Sequence, residues 1–272
     1  MTGSPLIEFI DRHPKLFVLT GAGCSTGSGI PDYRDADGEW KRGRPVMLQA
    51  FLADEHTRQR YWARSLVGWR RMSAARPNDA HCSLANLEVQ GRISQLVTQN
   101  VDGLHQAAGS RNVIDLHGRI DVVRCMSCDQ RLPRAHVQAE LIQRNPAFAA
   151  LDALDAPDGD ADLEGVAFSA FDVPACEACG GLLKPDVVFF GESVPAERVR
   201  RAMAAMDDAD AMLIVGSSLM VYSGFRFAKA MAQAGKPIAA VNLGRTRADD
   251  LLTLKVTDRC AEALAFVALR TA

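Results

Sequence analysis

Four of the seven cysteines stand in two C-x-x-C pairs, Cys125/Cys128 and Cys176/Cys179, separated by 47 residues (129–175). Thiolates at this local spacing close the knuckles of a tetrahedral zinc site, and the metal itself closes the long loop between the pairs. Four protein ligands leave no open coordination position, so one zinc with a structural role is expected. A redox dithiol accounts for one such pair but poorly for two. Cys24, Cys82 and Cys260 complete an odd total, and the N-terminal MTGSPLIEFIDRHPK has no basic start followed by an apolar stretch. Neither a disulfide framework nor a secretory signal is therefore read here.

The remaining chemistry lies in short polar stretches that follow apolar runs. Gly21-Ala-Gly-Cys-Ser-Thr-Gly-Ser-Gly-Ile-Pro-Asp-Tyr-Arg34 follows Leu16–Thr20 and reads as a strand turning into a helix start. Its small residues let backbone N–H groups approach a pyrophosphate. The dehydrogenase pattern G-x-G-x-x-G is not met, since the third glycine, Gly27, arrives one residue late. A plain tight turn stays open as the other reading. In Thr98-Gln-Asn-Val-Asp-Gly-Leu-His105, the side chains of Asn100 and Asp102 suit a carboxamide such as that of nicotinamide, or else an Asx turn capping the next helix. His105, inside that helix, reads as structural. In Asp115-Leu-His-Gly118, His117 is either a general base or a satisfied hydrogen-bonding residue. Val215-Gly-Ser-Ser218 and Val241-Asn-Leu-Gly244 supply small hydroxyls and a strand-end Asn suited to ribose and phosphate oxygens.

These stretches gain force from the elements that must position them. Strands are expected at Leu16–Thr20, Ile93–Thr98, Asn112–Leu116, Ala211–Val215 and Pro237–Val241. Helices are expected from about Phe51 to Met72, from Asn78 to Val89 with Asn78 or Asp79 as N-cap, and over Phe225–Gln233. Alternating strands and helices predict an α/β fold, a Rossmann-like doubly wound parallel sheet with ligand at the carboxyl ends of its strands. The stretch 118–185 breaks the rhythm. It reads as a small zinc-binding module inserted between residues 1–117 and 186–272 of the larger domain. Within it, LDALDAPDGDADLEG (151–165) reads as a loop with a short helix, its acidic charge a solvated face.

Bulk properties exclude several classes. With 272 residues and 48% hydrophobic content the chain can bury a sizeable core. A net charge of -2 argues against direct nucleic-acid binding, which wants a basic face. No apolar run approaches the roughly 18 residues that span a bilayer. A soluble cytoplasmic monomer with no membrane partner is the expectation.

Taken in order, GAGCSTGSGIPDYR, TQNVD, LHG, the two C-x-x-C pairs, KPDVVFFGE and VGSSL resemble the sirtuin family from about Leu16 to Cys260. IPDYR, RQRYWARSLVGW, the APDGD insert and VYSGFRF look like its class II branch. The resemblance implies an NAD-dependent protein-lysine deacylase, with NAD and an acyl-lysine peptide meeting between a Rossmann domain and a zinc module. In sirtuins the acyl group passes from lysine to ADP-ribose and nicotinamide is released. By motif His117 is then the catalytic base, Asn100 and Asp102 hold the nicotinamide, and Gln99 contacts the ribose region. Gly21, Ala22, Gly23, Ser25, Asp32, Tyr33 and Arg34 belong to the phosphate loop and cofactor lid. Gly216, Ser217, Ser218, Asn242, Gly244 and Cys260 line the adenosine side. Val187, Val188, Phe189, Phe190 and Gly191 lend an edge strand to the peptide.

Two features extend the resemblance. Cys24 stands where the family usually has an aliphatic residue, so it is either a thiol activated at a helix N-terminus or a small buried filler; Cys82 reads as structural. Tyr61 and Arg64, three apart on a helix, share a face. A related sirtuin branch uses a Tyr-x-x-Arg pair to hold an acidic acyl carboxylate, which makes succinyl or glutaryl chains candidate substrates; the alternative is a solvated cation. Two other activities stay open: mono-ADP-ribosyl transfer to protein, and non-catalytic sensing of NAD or ADP-ribose.

Overall fold

A computed structural model describes residues 4–41, 45–152, 154–163 and 165–269. Its strands are β1 (Leu16–Thr20), β2 (Ile93–Thr98), β3 (Val113–Asp115), β4 (Gly118–Cys125), β5 (Arg131–Pro133), β6 (Leu154–Ala156), β7 (Asp160–Asp162), β8 (Leu183–Val187), β9 (Ala211–Val215), β10 (Ile238–Val241) and β11 (Leu254–Val256). The helices that matter here are α1 (Pro5–Arg12), α2 (Leu48–Ala53), α3 (Glu55–Ala74), α4 (Asp79–Val89), α5 (Leu104–Ala107), α6 (Arg134–Arg144), α7 (Pro146–Ala149), α8 (Ala196–Asp207), α9 (Tyr222–Gln233) and α10 (Cys260–Leu264).

The unbroken apolar runs of β1, β9 and β10 are buried at every position, as strands of a parallel sheet covered on both faces must be. Six strands form that sheet in the order β11-β10-β9-β1-β2-β3, all parallel. Alternate side chains face opposite layers. Leu16, Val18, Leu96 and Leu213 pack with Leu6 of α1 and Leu84 of α4. Phe17, Leu19, Val97 and Met212 pack with Met206 of α8 and Phe227 of α9. The chain leaves β1 toward β2 and β3, then returns on the other side as β9 to β11. The topological switch point is therefore at β1 and β9, where open α/β sheets bind ligands. The register sharpens this: Thr20 lies opposite both Thr98 and Val215, and Val215 opposite Val241. Gly21, Gln99, Gly216 and Asn242 consequently leave the sheet in one row.

A second, antiparallel sheet, β5-β4-β8, carries the cysteine pairs. Its core joins Val123, Val137, Leu141, Phe171 and Leu183 to Phe51, Trp62 and Leu66 of α2 and α3. The small lobe thus draws on residues well ahead of 118. The indole N–H of Trp62 donates to Leu183 O, 121 positions on, at 3.3 Å. No local pattern announces that pairing.

Three local expectations are corrected. One helix over residues 51–72 is two, because Asp54 is extended between them and its carboxylate caps α3 by accepting the Thr57 N–H at 2.7 Å. No α-helix follows the glycine loop. Ala22–Cys24 and Thr26–Ser28 are single 3-10 turns, as suits a run of Gly, Ser and Thr with low helix propensity. The acidic insert holds a hairpin, β6 and β7, around the turn Pro157–Gly159. This hairpin lies directly on α3: a Cβ on Gly68 would stand 2.3 Å from Gly159 O. Positions 153 and 164 of the insert lie outside the described residues. Among the described residues no helix is long and apolar enough to cross a membrane.

Candidate active site

A cavity of about 1340 Å³ runs along the row of strand ends and under the small lobe. It exceeds the roughly 300–1,000 Å³ of single-ligand pockets, as a two-substrate cleft would. Its floor is two interlocked backbones. Gly23 N–H donates to Gly216 O at 2.8 Å, and Gly216, at φ +63°, has no room for a Cβ, which would fall 2.2 Å from Cys24 N. On the far side Asn242 donates to Gly244 O at 3.0 Å, and Cys260 Sγ lies 3.7 Å from Gly23 O. Burial pushes the Cys260 thiol up to about 11. Bare glycine backbone at a strand-end turn fits the close approach that the pyrophosphate of NAD requires.

Asp32, Tyr33 and Arg34 lie on a strap over the cleft. Arg34 donates to Gly38 O at 2.6 Å with its guanidinium 4.0 Å from the Trp40 ring, while Lys41 pairs with Asp32. Trp40 meets Phe190 at 5.5 Å between ring centroids, so the strap touches the apolar wall of the cleft. That wall is Val187–Gly191, held by Val188 N–H to His117 O (2.8 Å) and Leu48 N–H to Phe190 O (2.9 Å).

At the strand ends, Gln99, Asn100 and His117 line the cleft. Asn100 is fixed from behind: its amide donates to Ser25 Oγ at 2.9 Å, and Ser25 donates to Asp102 at 2.7 Å. Asp102 also accepts the Leu104 N–H at 2.9 Å, the Asx turn that opens α5. Ser25 and Asp102 therefore stand behind Asn100 and do not line the cleft.

Deeper still, His105 shares its Nε2 with Thr20 Oγ1 at 2.8 Å, and that hydroxyl donates to Thr98. Burial, and then His81, hold His105 down at about 3. Cys24, His81 and His105 offer three ligand atoms within 4.8 Å of one another. However, His81 Nδ1 accepts the Asn78 N–H at 3.3 Å, so its proton sits on Nε2 and His81 turns no lone pair from that nitrogen toward the cluster. The Cys24 thiol is buried among these groups, and burial raises it well above its ordinary value. Of the two readings of Cys24, this favours the small buried filler over the activated thiol. Cys82 is exposed on α4 and takes no part in the core.

His117 is held at both ring nitrogens. Its Nδ1 lies 2.9 Å from Gln99 O, which can only accept, so Nδ1 carries the proton and Nε2 the lone pair. Nε2 receives the Ser223 hydroxyl at 2.8 Å. Burial above all, with Arg198 and Arg226 adding to it, brings His117 down to about 4 against the Gln99 bond that raises it. The imidazole is thus neutral near pH 7, its Nε2 lone pair accepting the Ser223 hydroxyl.

These two histidines make stability pH-dependent. A folded-state value below the unfolded 6.5 means that the native state excludes a proton, so stability is full above pH 6.5 and falls as pH drops toward the folded values. Between pH 7 and 5 each should cost about 2 kcal/mol at about 1.4 kcal/mol per pH unit. Denaturant midpoints, taken with zinc content monitored, should fall over this range; a flat profile would contradict the burial assigned to both rings.

The four cysteines meet at one end of the small lobe. Cys125 and Cys179 Sγ are 3.5 Å apart and Cys128 and Cys176 Sγ 3.8 Å, with all four within 4.8 Å. A tetrahedron with metal–sulfur bonds near 2.3 Å has sulfur–sulfur edges of roughly 3.8 Å, so this set fits zinc. Backbone N–H groups of Cys128 and Ser127 point at Cys125 and bring it down to about 6, favouring the thiolate that a metal needs.

Tyr61 and Arg64 are not on the cleft wall. Arg64 makes two 2.8 Å bonds to the Asp160 carboxylate, and Tyr61 packs on Phe51 and Phe189. This corrects the acyl-carboxylate reading: the guanidinium fork faces an internal carboxylate from the hairpin. Among the cleft residues that the sequence did not single out are Ser223 and Arg226, both in VYSGFRF, where a strand-end loop meeting a helix start was the available signal.

Comparison with known proteins agrees with this geometry. A model of the Sir2 family matches residues 21–223. NAD-dependent protein deacetylase 2 of Bradyrhizobium diazoefficiens is 67% identical over 267 residues, covering 98% of each chain. An NAD-dependent protein deacetylase of Xanthomonas campestris pv. campestris is also 67% identical, over 98% of this chain and 91% of its own. A solved structure of Sir2 with a p53 peptide and NAD+ superposes with a TM-score of 0.77 at 31% identity, covering 100% of this chain and 99% of that one. With a family match over well more than half its length and relatives identical at two positions in three, the chain belongs to the Sir2 family.

Proposed function

We propose that this chain is an NAD-dependent protein deacetylase that moves the acyl group of an acyl-lysine protein onto ADP-ribose and releases nicotinamide. The observation that carries this is His117, neutral and unprotonated at Nε2, lining a cleft that has bare glycine backbone on one side and an apolar wall on the other. NAD, when bound, supplies an electrophilic ribose carbon and nicotinamide as leaving group. The glycine turns at Gly21, Gly23 and Gly216 accommodate its phosphates, and Asn100, fixed by Ser25, faces the carboxamide. Val187–Gly191 orients the peptide. His117 Nε2 takes the proton of a ribose hydroxyl. The zinc cluster holds the small lobe together, with residues 118–185 as its inserted part, and the enzyme works as a monomer in the cytoplasm, where thiols stay reduced. Mass analysis of acyl-lysine peptides should show acyl loss only when NAD is present. ADP-ribose appearing on protein without loss of acyl groups would favour a transferase instead.

Arg64 bears on the acyl group. Because its fork is engaged by Asp160, acetyl peptides should react faster than glutaryl peptides, and Arg64→Met should keep that order. A shift in the acetyl-to-glutaryl ratio of more than about tenfold on this substitution would reinstate Arg64 as a carboxylate ligand, since a charge-assisted hydrogen bond is worth that much.

A further inference from the structure

We infer that Ser223 is the positioning residue for His117, holding Nε2 directed into the cleft until a substrate hydroxyl replaces it. This rests on the reading of His117 as the base. Ser223 is buried and stands in the first turn of α9, 106 positions from His117, yet its hydroxyl lies 2.8 Å from Nε2. With Nδ1 donating to Gln99 O, that hydroxyl can only donate to Nε2. The ring is therefore gripped at both nitrogens, and the lone pair that must accept a proton is occupied by an O–H.

The close approach of α9 is itself built. A Cβ on Gly224 would fall 2.6 Å from Gln99 Nε2, so glycine there lets the helix start settle against Gln99. Ser217 fastens the same side chain, donating to Gln99 Oε1 at 2.6 Å. Gln99 thus holds Nδ1 through its carbonyl and seats the helix that brings Ser223 to Nε2. A hydroxyl suits both stages of proton transfer because it is donor and acceptor. It donates to neutral Nε2 in the waiting enzyme. When the substrate O–H bond breaks, its proton forms an N–H bond at Nε2; once the substrate oxygen moves away, the Ser223 oxygen returns to accept that N–H.

The test is steady-state deacetylation of an acetyl-lysine peptide by the zinc-loaded enzyme and three variants, with NAD affinity measured separately by calorimetry. Ser223→Ala should lower kcat about tenfold, the worth of one charge-assisted hydrogen bond, with NAD affinity and the KM for peptide unchanged. Ser223→Thr, which keeps the hydroxyl, should recover most of the loss. Unchanged kcat in Ser223→Ala would overturn the inference. So would a loss that appears equally in NAD affinity, which would make Ser223 a wall contact, or a loss that Thr does not recover. His117→Ala separates the two readings. An active His117→Ala enzyme removes the base assignment itself, whereas an inactive one beside a fully active Ser223→Ala enzyme removes only the role of Ser223.

Discussion

Replacing His117 with alanine is expected to reduce deacetylation by about 10²–10⁴-fold, the usual contribution of a positioned general base. NAD affinity and thermal stability should change little if the ring serves proton transfer, because its polar contacts with the fold are two hydrogen bonds at the cleft. The imidazole is held neutral by burial and by Arg198 and Arg226, so the variant loses a group already in its basic form near pH 7. Rates on an acetyl peptide, with NAD binding measured by calorimetry, check this. A variant retaining full turnover would mean that another group removes the proton.

An effect as large in folding is expected at the metal. Serine in place of any one of Cys125, Cys128, Cys176 or Cys179 should release zinc and melt the small lobe, taking activity with it. Structural zinc sites carry apparent binding energies of about 10–16 kcal/mol at pH 7, comparable to the whole stability of a domain. The lobe's apolar core, built around Trp62, Phe171 and Leu183, packs on a sheet whose outer strands, β5 and β8, are short. Metal analysis should give one zinc per chain for the parent protein. Serine at Cys24, Cys82 or Cys260 should leave that zinc in place, since none of the three touches the cluster. A metal-free protein with an unshifted melting midpoint and full activity would contradict the assignment.

What could be read from the sequence is what local spacing encodes. β1 and β9 have the expected bounds because strands buried on both faces are uninterrupted apolar runs, and two C-x-x-C pairs declare a tetrahedral site on their own. The row of strand-end loops followed from strands alternating with helices. Contacts set by distant residues were not legible. Arg64 looked like a free cation because Asp160, its partner, lies 96 positions away in a hairpin whose acidic composition suggested a solvated loop. Asp102 has the right type for a carboxamide partner, yet Ser25 and the start of α5 engage it behind Asn100. Ser223 is an ordinary helix-start serine until the sheet order brings α9 beside His117.

Coupling of nicotinamide release to deacetylation is read from one reaction, in which nicotinamide and deacetylated peptide are quantified together from purified enzyme, NAD and an acetyl-lysine peptide. Equal molar amounts of the two products are expected at every time point, and neither without the peptide. Nicotinamide released while every acetyl group remains on lysine would contradict that coupling.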